Sequence, residues 1–332
     1  MRRANKRRWI GIGIVMSAAL GLTACGGSGA AAGGAGGDGA NGGSGGTVRV
    51  GVGIDASYAP FFLAAQDGMF KKAGLNVNLV QFSRGGDAVQ AIAGGQVDMA
   101  GNSDTTTITL MKQNPKLRGL FIYEQSGRYL QIVAKPGITK ASQIKKIGVV
   151  QGLSEYMAQK YFEANHVPLT SVKFVETDPS TLPALADKGT IDAYLAWEPW
   201  PSNGIKLGLK KLTDTGSYGY SYVHWAVTDS KWLDGHQKEA AAIAKVLAKA
   251  AEITASDPDK AAAAVESQAK IKKADAKQAI DLVDWKVRGF TAKDMKSYNE
   301  QTQFFVQKGE LPKGFNVKPN ILMDWYNQHV TK

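Results

Sequence analysis

Glu198 stands between Trp197 and Trp200 in the run AYLAWEPWPSNG, residues 193–204, with one proline after the acid and another after the second indole. Indole is costly to expose, and a carboxylate is costly to bury without a partner. Pro199 and Pro201 hold the residues before them in extended geometry. The spacing therefore predicts a strand tip that leaves its sheet as a stiff turn and pins Glu198 between two aromatic walls. Buried without a cation, Glu198 would have a raised pKa; facing a ligand N–H group it would make a charge-assisted hydrogen bond instead.

Three more turns carry short polar side chains where an apolar strand gives way to a helix. GIDASYAP offers Asp55 and Ser57, GNSDTTT offers Asn102, Ser103, Asp104 and Thr105, and QGLSEY offers Gln151, Gly152 and Ser154. Each is first of all a helix N-cap. Ligands of open α/β sheets bind beyond the carboxyl ends of the strands, so these amides and hydroxyls are also candidates to face one cleft. Residues 53–60, 101–107, 151–157 and 197–203 contain no Lys or Arg, yet include Asp55, Asp104, Glu155 and Glu198. A doubly charged anion usually wants arginine forks. This set better suits a monoanion held by amides, or a small molecule whose N–H or ammonium group faces a carboxylate. Arg84 and Arg128 lie on other predicted loops and would change that balance if they reached the cleft.

The elements that must position these residues alternate. TVRVGVG (47–53) reads as a strand, YAPFFLAAQDGMFKKAG (58–74) as a helix with a proline in its first turn and a glycine stop, and NVNLVQF as a strand. DAVQAIAGG is a short helix, VDMAGNS a strand, residues 105–114 a helix, and LRGLFIYEQ and YLQIVAK strands. The alternation restarts at KIGVVQG (146–152), followed by the helix 154–166, the strand VKFVET, the helix STLPALADKG and the strand IDAYLAW. AIAGGQVDMA (91–100) and ALADKGTIDAY (184–194) echo each other as helix, glycine, β-branched residue, aspartate and apolar strand, which suggests two similar lobes. From about Gln237 onward the chain reads as helical, DWKVRGF included, and these helices are expected to return and cover the first lobe. The fold class is α/β: two lobes with mainly parallel sheets, joined by two crossing strands near residues 128–137 and 221–229. Lobe 1 is expected over 47–132 and 228–332, and lobe 2 over 133–227.

The chain of 332 residues is 44% hydrophobic and 21% charged, as expected of a soluble globular protein. Its first residues have a different purpose. Arg2, Arg3, Lys6, Arg7 and Arg8 precede an apolar stretch from Trp9 to Leu22 and then LTAC, the pattern of a secretory signal over 1–24. LTAC resembles a bacterial lipobox, which implies cleavage before Cys25, the only cysteine, and its lipidation. Losing residues 1–24 lowers the formal charge from +11 to +6, which implies no nucleic-acid partner. The Gly-, Ala- and Ser-rich segment up to residue 46 reads as a flexible tether with a reach of roughly 25 Å.

These features together resemble the binding components of ABC importers. GVGIDASYAPFFLAAQDGMFKKAGLNVNL, GGQVDMAGNSD and GTIDAYLAWEPW are similar to the branch that binds nitrate, taurine, aliphatic sulfonates and thiamine precursors. The resemblance implies a bilobal, Venus-flytrap fold of the second topological type. It implies a monomer that traps a small solute between its lobes and hands it to an ABC permease, anchored through its lipid to the outer face of the cytoplasmic membrane. It also places near the ligand the acid-proline at Glu198, the turn after the first strand and the helix start after VVQG. Tyr58, Phe61, Tyr156, Trp197, Trp200, and with them Tyr222 and Trp225, leave room for a planar heterocycle or would cover the alkyl part of a sulfonate. No cofactor or metal is expected.

Two other classes compete. GVGIDA fits G-x-G-x-x-A after a strand, but the second strand lacks the acid a dinucleotide ribose requires. His166, His224, His236 and His329 are scattered, and neither H-E-x-x-H nor C-x-x-C occurs, so an enzyme is not the expectation. An adhesive surface lipoprotein would differ by showing no small-molecule stabilisation.

Overall fold

β1 (Val48–Gly53) opens the first lobe in a computed structural model that describes residues 46–331. The expected signal peptide, Cys25 and the tether up to residue 45 lie outside the described residues. After β1 come α1 (Ala59–Gln66), α2 (Met69–Lys72), β2 (Val77–Phe82), α3 (Gly85–Ala93), β3 (Met99–Ser103), α4 (Asp104–Leu110) and β4 (Leu117–Ser126). The second lobe runs β5 (Leu130–Ala134), β6 (Lys146–Val149), α5 (Leu153–Ala164), β7 (Lys173–Glu176), α6 (Leu182–Asp187), β8 (Ala193–Trp197), α7 (Trp200–Lys206) and β9 (Lys210–Asp214). The chain returns through β10 (Tyr222–Asp229) to α8 (Ser230–Gly235), α9 (Gln237–Ser256), α10 (Pro258–Ala269), α11 (Lys273–Ile280), α12 (Ala292–Gln307) and α13 (Trp325–His329).

The two five-stranded sheets share one plan, with orders β2-β1-β3-β10-β4 and β7-β6-β8-β5-β9. In each, one antiparallel strand that follows a crossing is inserted, β10 between β3 and β4 and β5 between β8 and β9. The echo between the two halves is real at the level of single hydrogen bonds. Asp98, before β3, accepts the Arg49 N–H at 2.8 Å and the Arg49 guanidinium at 2.7 Å. Asp192, before β8, accepts the N–H groups of Lys145 and Lys146 at 2.9 Å and pairs with Lys135 at 2.7 Å. An aspartate after the helix stop thus clamps β1 to β3 in lobe 1 and β6 to β8 in lobe 2.

The crossings differ from the expectation. β5 bonds to β8 and β9, so Leu130–Ile132 belongs to the second sheet rather than to lobe 1. β10 bonds to β3 and β4, so Tyr222–Val227 belongs to the first sheet rather than to lobe 2. Neither strand itself crosses; the chain passes between lobes at residues 127–129 and 215–221. There Gly216 N–H donates to Gly127 O at 2.6 Å, and a Cβ on Gly127 would sit 2.9 Å from the Gly216 Cα. Only two glycines let the crossings lie this close.

The last segment packs on lobe 1 as expected. Ala240, Ile243, Ala244, Leu247 and Ala250 bury one face of α9, and Thr291 and Asp294 form a reciprocal cap at the start of α12. DWKVRGF is not helical. Residues 284–290 run extended beside β4, with Arg288 and Ile122 exchanging two backbone hydrogen bonds of 2.9 Å. This closes an edge of the sheet that would otherwise present unpaired backbone. No described helix is long and apolar enough to cross a membrane.

Candidate functional site

A cleft of about 390 Å³ opens where the carboxyl ends of the strands of both lobes face each other. Lobe 1 lines it with Asp55, Ser57 and Tyr58 from the turn after β1, with Arg84, Gly85 and Gly86 at the start of α3, and with Asn102, Ser103 and Thr106 around the end of β3. Lobe 2 contributes Gln151, Gly152 and Leu153 at the start of α5 and Trp197 at the tip of β8. Tyr129 from the first crossing and Tyr222 and His224 from β10 also line it, with Lys112 and Glu310 among the further residues.

Eight of the residues singled out in the sequence therefore meet at one place: Asp55, Ser57, Tyr58, Asn102, Ser103, Gln151, Gly152 and Trp197. Six do not line it. Phe61 is core, set edge-on to Tyr123 with ring centroids 5.0 Å apart. Thr105 turns inward, its hydroxyl donating to Asp104 at 3.1 Å. The Ser154 hydroxyl accepts the Val150 N–H and so closes the first turn of its own helix. Tyr156 packs under Phe304, 4.9 Å between centroids. Trp200 packs on the core of lobe 2, and its carbonyl accepts the Tyr194 hydroxyl at 2.8 Å. Of the two later aromatics, Tyr222 lines the cleft, whereas Trp225 is buried with its indole N–H on the Tyr298 hydroxyl at 2.9 Å.

Glu198 is the sixth. It is buried, and its two oxygens accept the Gln131 side-chain amide and the Ser202 N–H, both at 3.3 Å. The two prolines do make a stiff turn, but the turn is the start of α7, whose free N–H groups the acid caps. Desolvation raises the Glu198 pKa, opposed by its hydrogen bonds with Ser202. A carboxyl whose folded pKa lies above its unfolded value of 4.5 contributes stability below that value, and the contribution is lost as pH rises through the folded pKa. Glu198→Gln keeps an oxygen for Ser202 and cannot ionise. It is expected to raise stability at about pH 8 by about 1 kcal/mol relative to about pH 5. Urea denaturation at both pH values checks this, and equal effects at the two would contradict it.

The other two cap-turn acids also point away from the cleft. Asp104 accepts Thr105 N–H at 2.7 Å, the Gln301 amide at 2.9 Å and the Tyr220 hydroxyl at 3.1 Å, joining α4 to α12 and to the second crossing. Glu155 pairs across the lobes with Lys308, just past α12. On another side, Lys206 of α7 reaches Asp275 of α11 at 2.9 Å. Arg84, Gly85, Gly86, Thr106, Tyr129 and His224 were not among the residues expected in the cleft. The one sequence signal for them was a glycine pair between a strand and a helix. Arg84 does reach the cleft, though Asp87 holds it at 3.1 Å, whereas Arg128 does not line it.

Behind the lining lies a fully buried acid, Glu124. Its Oε1 is 2.9 Å from His224 Nδ1 and accepts the Tyr222 hydroxyl at 3.3 Å; its Oε2 has no partner. Burial raises the pKa of this carboxyl against the pull of His224. Among the described residues, no three His, Cys, Asp or Glu side chains are grouped to hold a metal ion.

The arrangement can bind an anion through backbone. Arg84 and Gly152, the residues before α3 and α5, make no side-chain cap, and the first N–H groups of both helices lack backbone acceptors. The two ends converge: a Cβ on Gly86 of lobe 1 would lie 3.1 Å from Thr106 Cγ2, and one on Gly152 of lobe 2 would lie 3.5 Å from Thr106 Oγ1.

A family model described as NMT1/THI5 like matches residues 55–261. A protein of Bacillus subtilis (strain 168) named for aliphatic sulfonate binding is 27% identical over 263 residues, 72% of each chain. The taurine-binding periplasmic protein of Escherichia coli (strain K12) is 24% identical over 219 residues, 64% of this chain and 68% of that one. Among solved structures, the periplasmic aliphatic sulphonate binding protein of Escherichia coli superposes with a TM-score of 0.76 at 15% identity, covering 86% of this chain and all of the other. The expected bilobal fold of periplasmic binding proteins is thereby established.

Proposed function

The chain belongs to the NMT1/THI5-like family, and from that premise we propose that it is the extracytoplasmic solute-binding component of an ABC importer. It captures a small sulfonate-, taurine- or nitrate-like solute between its lobes and delivers it to the permease. The observation that carries this reading is the pair of uncapped helix N-termini, one from each lobe, that converge on Thr106. Each offers free N–H groups at the positive end of a helix dipole, a setting that suits a monoanion better than a dianion. An anion between them interacts fully only with the closed form, so its binding favours closure. The proteins matched in sequence are named for binding sulfonates or taurine, which supports the same class.

The protein acts as a receptor and not as an enzyme, as a monomer tethered through lipidated Cys25 to the outer face of the membrane, without a nucleic-acid partner. A second reading, a planar heterocycle such as a thiamine-precursor pyrimidine, is favoured by one observation. Tyr129 and Tyr222 stack at 6.0 Å beside Tyr58 and Trp197 in the lining. The test is to titrate the purified protein with taurine, alkanesulfonates, nitrate and pyrimidines, following tryptophan fluorescence and melting temperature. Saturable quenching with a rise in melting temperature is expected for the sulfonates. Binding by pyrimidines alone would replace the first reading with the second, and binding by none would overturn the receptor role.

A further inference from the structure

We infer that Asp55 makes this cleft selective for solutes that carry an ammonium or other N–H donor beside their anionic end; this rests on the receptor reading above. Asp55 is 8% exposed, in the turn after β1. Its Oδ1 accepts the Ser57 N–H at 2.8 Å and the Tyr129 hydroxyl at 3.2 Å. Its Oδ2 makes no hydrogen bond among the described residues, and Asp55 lines the cleft. A largely buried carboxylate is costly unless a cation or donors compensate it, and here the donors reach only Oδ1, leaving Oδ2 open toward the cleft.

Among the described residues, neither a cation nor a donor reaches Oδ2. No Lys, Arg or His of the described residues pairs with Asp55. Arg84 is held by Asp87, and Lys112 lies exposed at the rim with its ammonium on the Glu310 carbonyl at 3.0 Å. Two of the tyrosines around the floor turn their hydroxyls elsewhere: Tyr58 donates to Gly101 O at 3.0 Å and Tyr222 to Glu124 at 3.3 Å. His224 turns its Nδ1 to Glu124 at 2.9 Å and to the Tyr123 hydroxyl at 2.8 Å, away from Asp55. The floor of the cleft therefore holds a carboxyl oxygen, Asp55 Oδ2, that no donor answers, while the two helix ends carry free N–H groups.

The head of α3 lies close to the strand end that leads into the Asp55 turn. A Cβ on Gly53 would lie 3.2 Å from Gly85 N at the head of α3, and Asp55 is two residues further, at most about 7 Å of extended chain. An anion seated at the helix ends would thus feel Asp55 as a like charge, unless its other end brings a donor to Oδ2. A donor there would make a charge-assisted hydrogen bond and remove the repulsion together. Nitrate and plain alkanesulfonates lack such a group; an aminoalkanesulfonate has it.

Isothermal titration of the purified protein with two matched pairs tests this: taurine against ethanesulfonate, and a 4-aminopyrimidine against the corresponding pyrimidine without the amino group. In whichever pair binds, the amino member is expected to bind at least about 30-fold more tightly. Asp55→Asn, which keeps an acceptor for Ser57, is expected to shrink that ratio to below about 3-fold, chiefly by weakening the amino compound. Asp55→Glu is expected to retain most of the preference. Melting temperatures of both variants confirm that they are folded. Ethanesulfonate binding as tightly as taurine would overturn the role of Asp55 and leave the sulfonate receptor intact. Binding by the pyrimidine pair alone, with the amino preference, would overturn the sulfonate reading and the anionic end of the inference, and would keep only Asp55 as the acceptor for the amino group. An unchanged ratio in folded Asp55→Asn would overturn the inference, and binding by neither pair would overturn both.

Discussion

Gly85→Val is expected to lower solute affinity by at least about 100-fold and to cost the fold about 2 kcal/mol. A Cβ at this position would overlap the Tyr58 hydroxyl, lie 2.6 Å from Asn102 Oδ1 and lie 2.9 Å from the Gly101 carbonyl. Two of those three groups are partners in the hydrogen bond from Tyr58 to Gly101 that joins the start of α1 to β3. The side chain cannot be accommodated by one neighbour turning aside, because the carbonyl is backbone and the tyrosine ring is fully buried. The head of α3 must move instead, and with it the N–H groups proposed to hold the anion. Gly94→Ala is the control: its Cβ would meet only the Ala91 carbonyl at 3.8 Å, so affinity and stability should stay unchanged. Calorimetry of both variants and their denaturation midpoints check the pair. Tight binding by folded Gly85→Val would remove α3 from the site.

Asp104→Ala is expected to destabilise the protein by about 3 kcal/mol while changing solute affinity far less than Gly85→Val. The carboxylate accepts from Thr105, Gln301 and Tyr220, and it is 1% exposed. Removing it strands donors that cannot reach water, and an unsatisfied buried donor costs more than the net worth of the bond it made. Two of those donors come from distant segments: Gln301 lies in α12 and Tyr220 in the second crossing. The loss should therefore appear in the global unfolding transition rather than as local fraying. Urea denaturation measures it, and a change below about 0.5 kcal/mol would mean that the cluster contributes little to holding the crossing on lobe 1.

Much of this architecture was legible in the sequence because it is written in short-range terms. Strand and helix periods, the proline at the head of α1 and the glycine stops need only near neighbours, and these placed the elements of both lobes. The repeated helix, glycine and aspartate pattern was legible for the same reason, and Asp98 and Asp192 give it a physical meaning as clamps of β1 to β3 and of β6 to β8. The segment 284–290 was misread as helix. Trp285 and Val287 satisfy either pattern over so short a run, and the backbone groups of β4 decided between them. The limits of the lobes were misplaced because a strand's own residues do not say which sheet will accept its hydrogen bonds.

The site divides along the same line. Spacing put polar caps at the strand tips and made them candidates to face one cleft; Asp55, Ser57, Asn102, Ser103, Gln151 and Gly152 line it, whereas Thr105 and Ser154 do not. Of the four acids of those turns it put Asp55 and Glu198 in the cleft, and only Asp55 lines it. Asp104 finds Gln301 at a separation of 197 residues, and Glu155 finds Lys308 at 153. Glu198 finds the N–H of Ser202, four residues on, in a helix that its two prolines begin. Only Asp55 is left with an oxygen for the solvent side. The sequence by itself determined that carboxylates would stand at the ends of these strands, because capping is local chemistry. Which of them faces the cleft was decided by tertiary structure alone, because a charge turns toward the partner that compensates it, and two of those partners came from segments folded back from far along the chain.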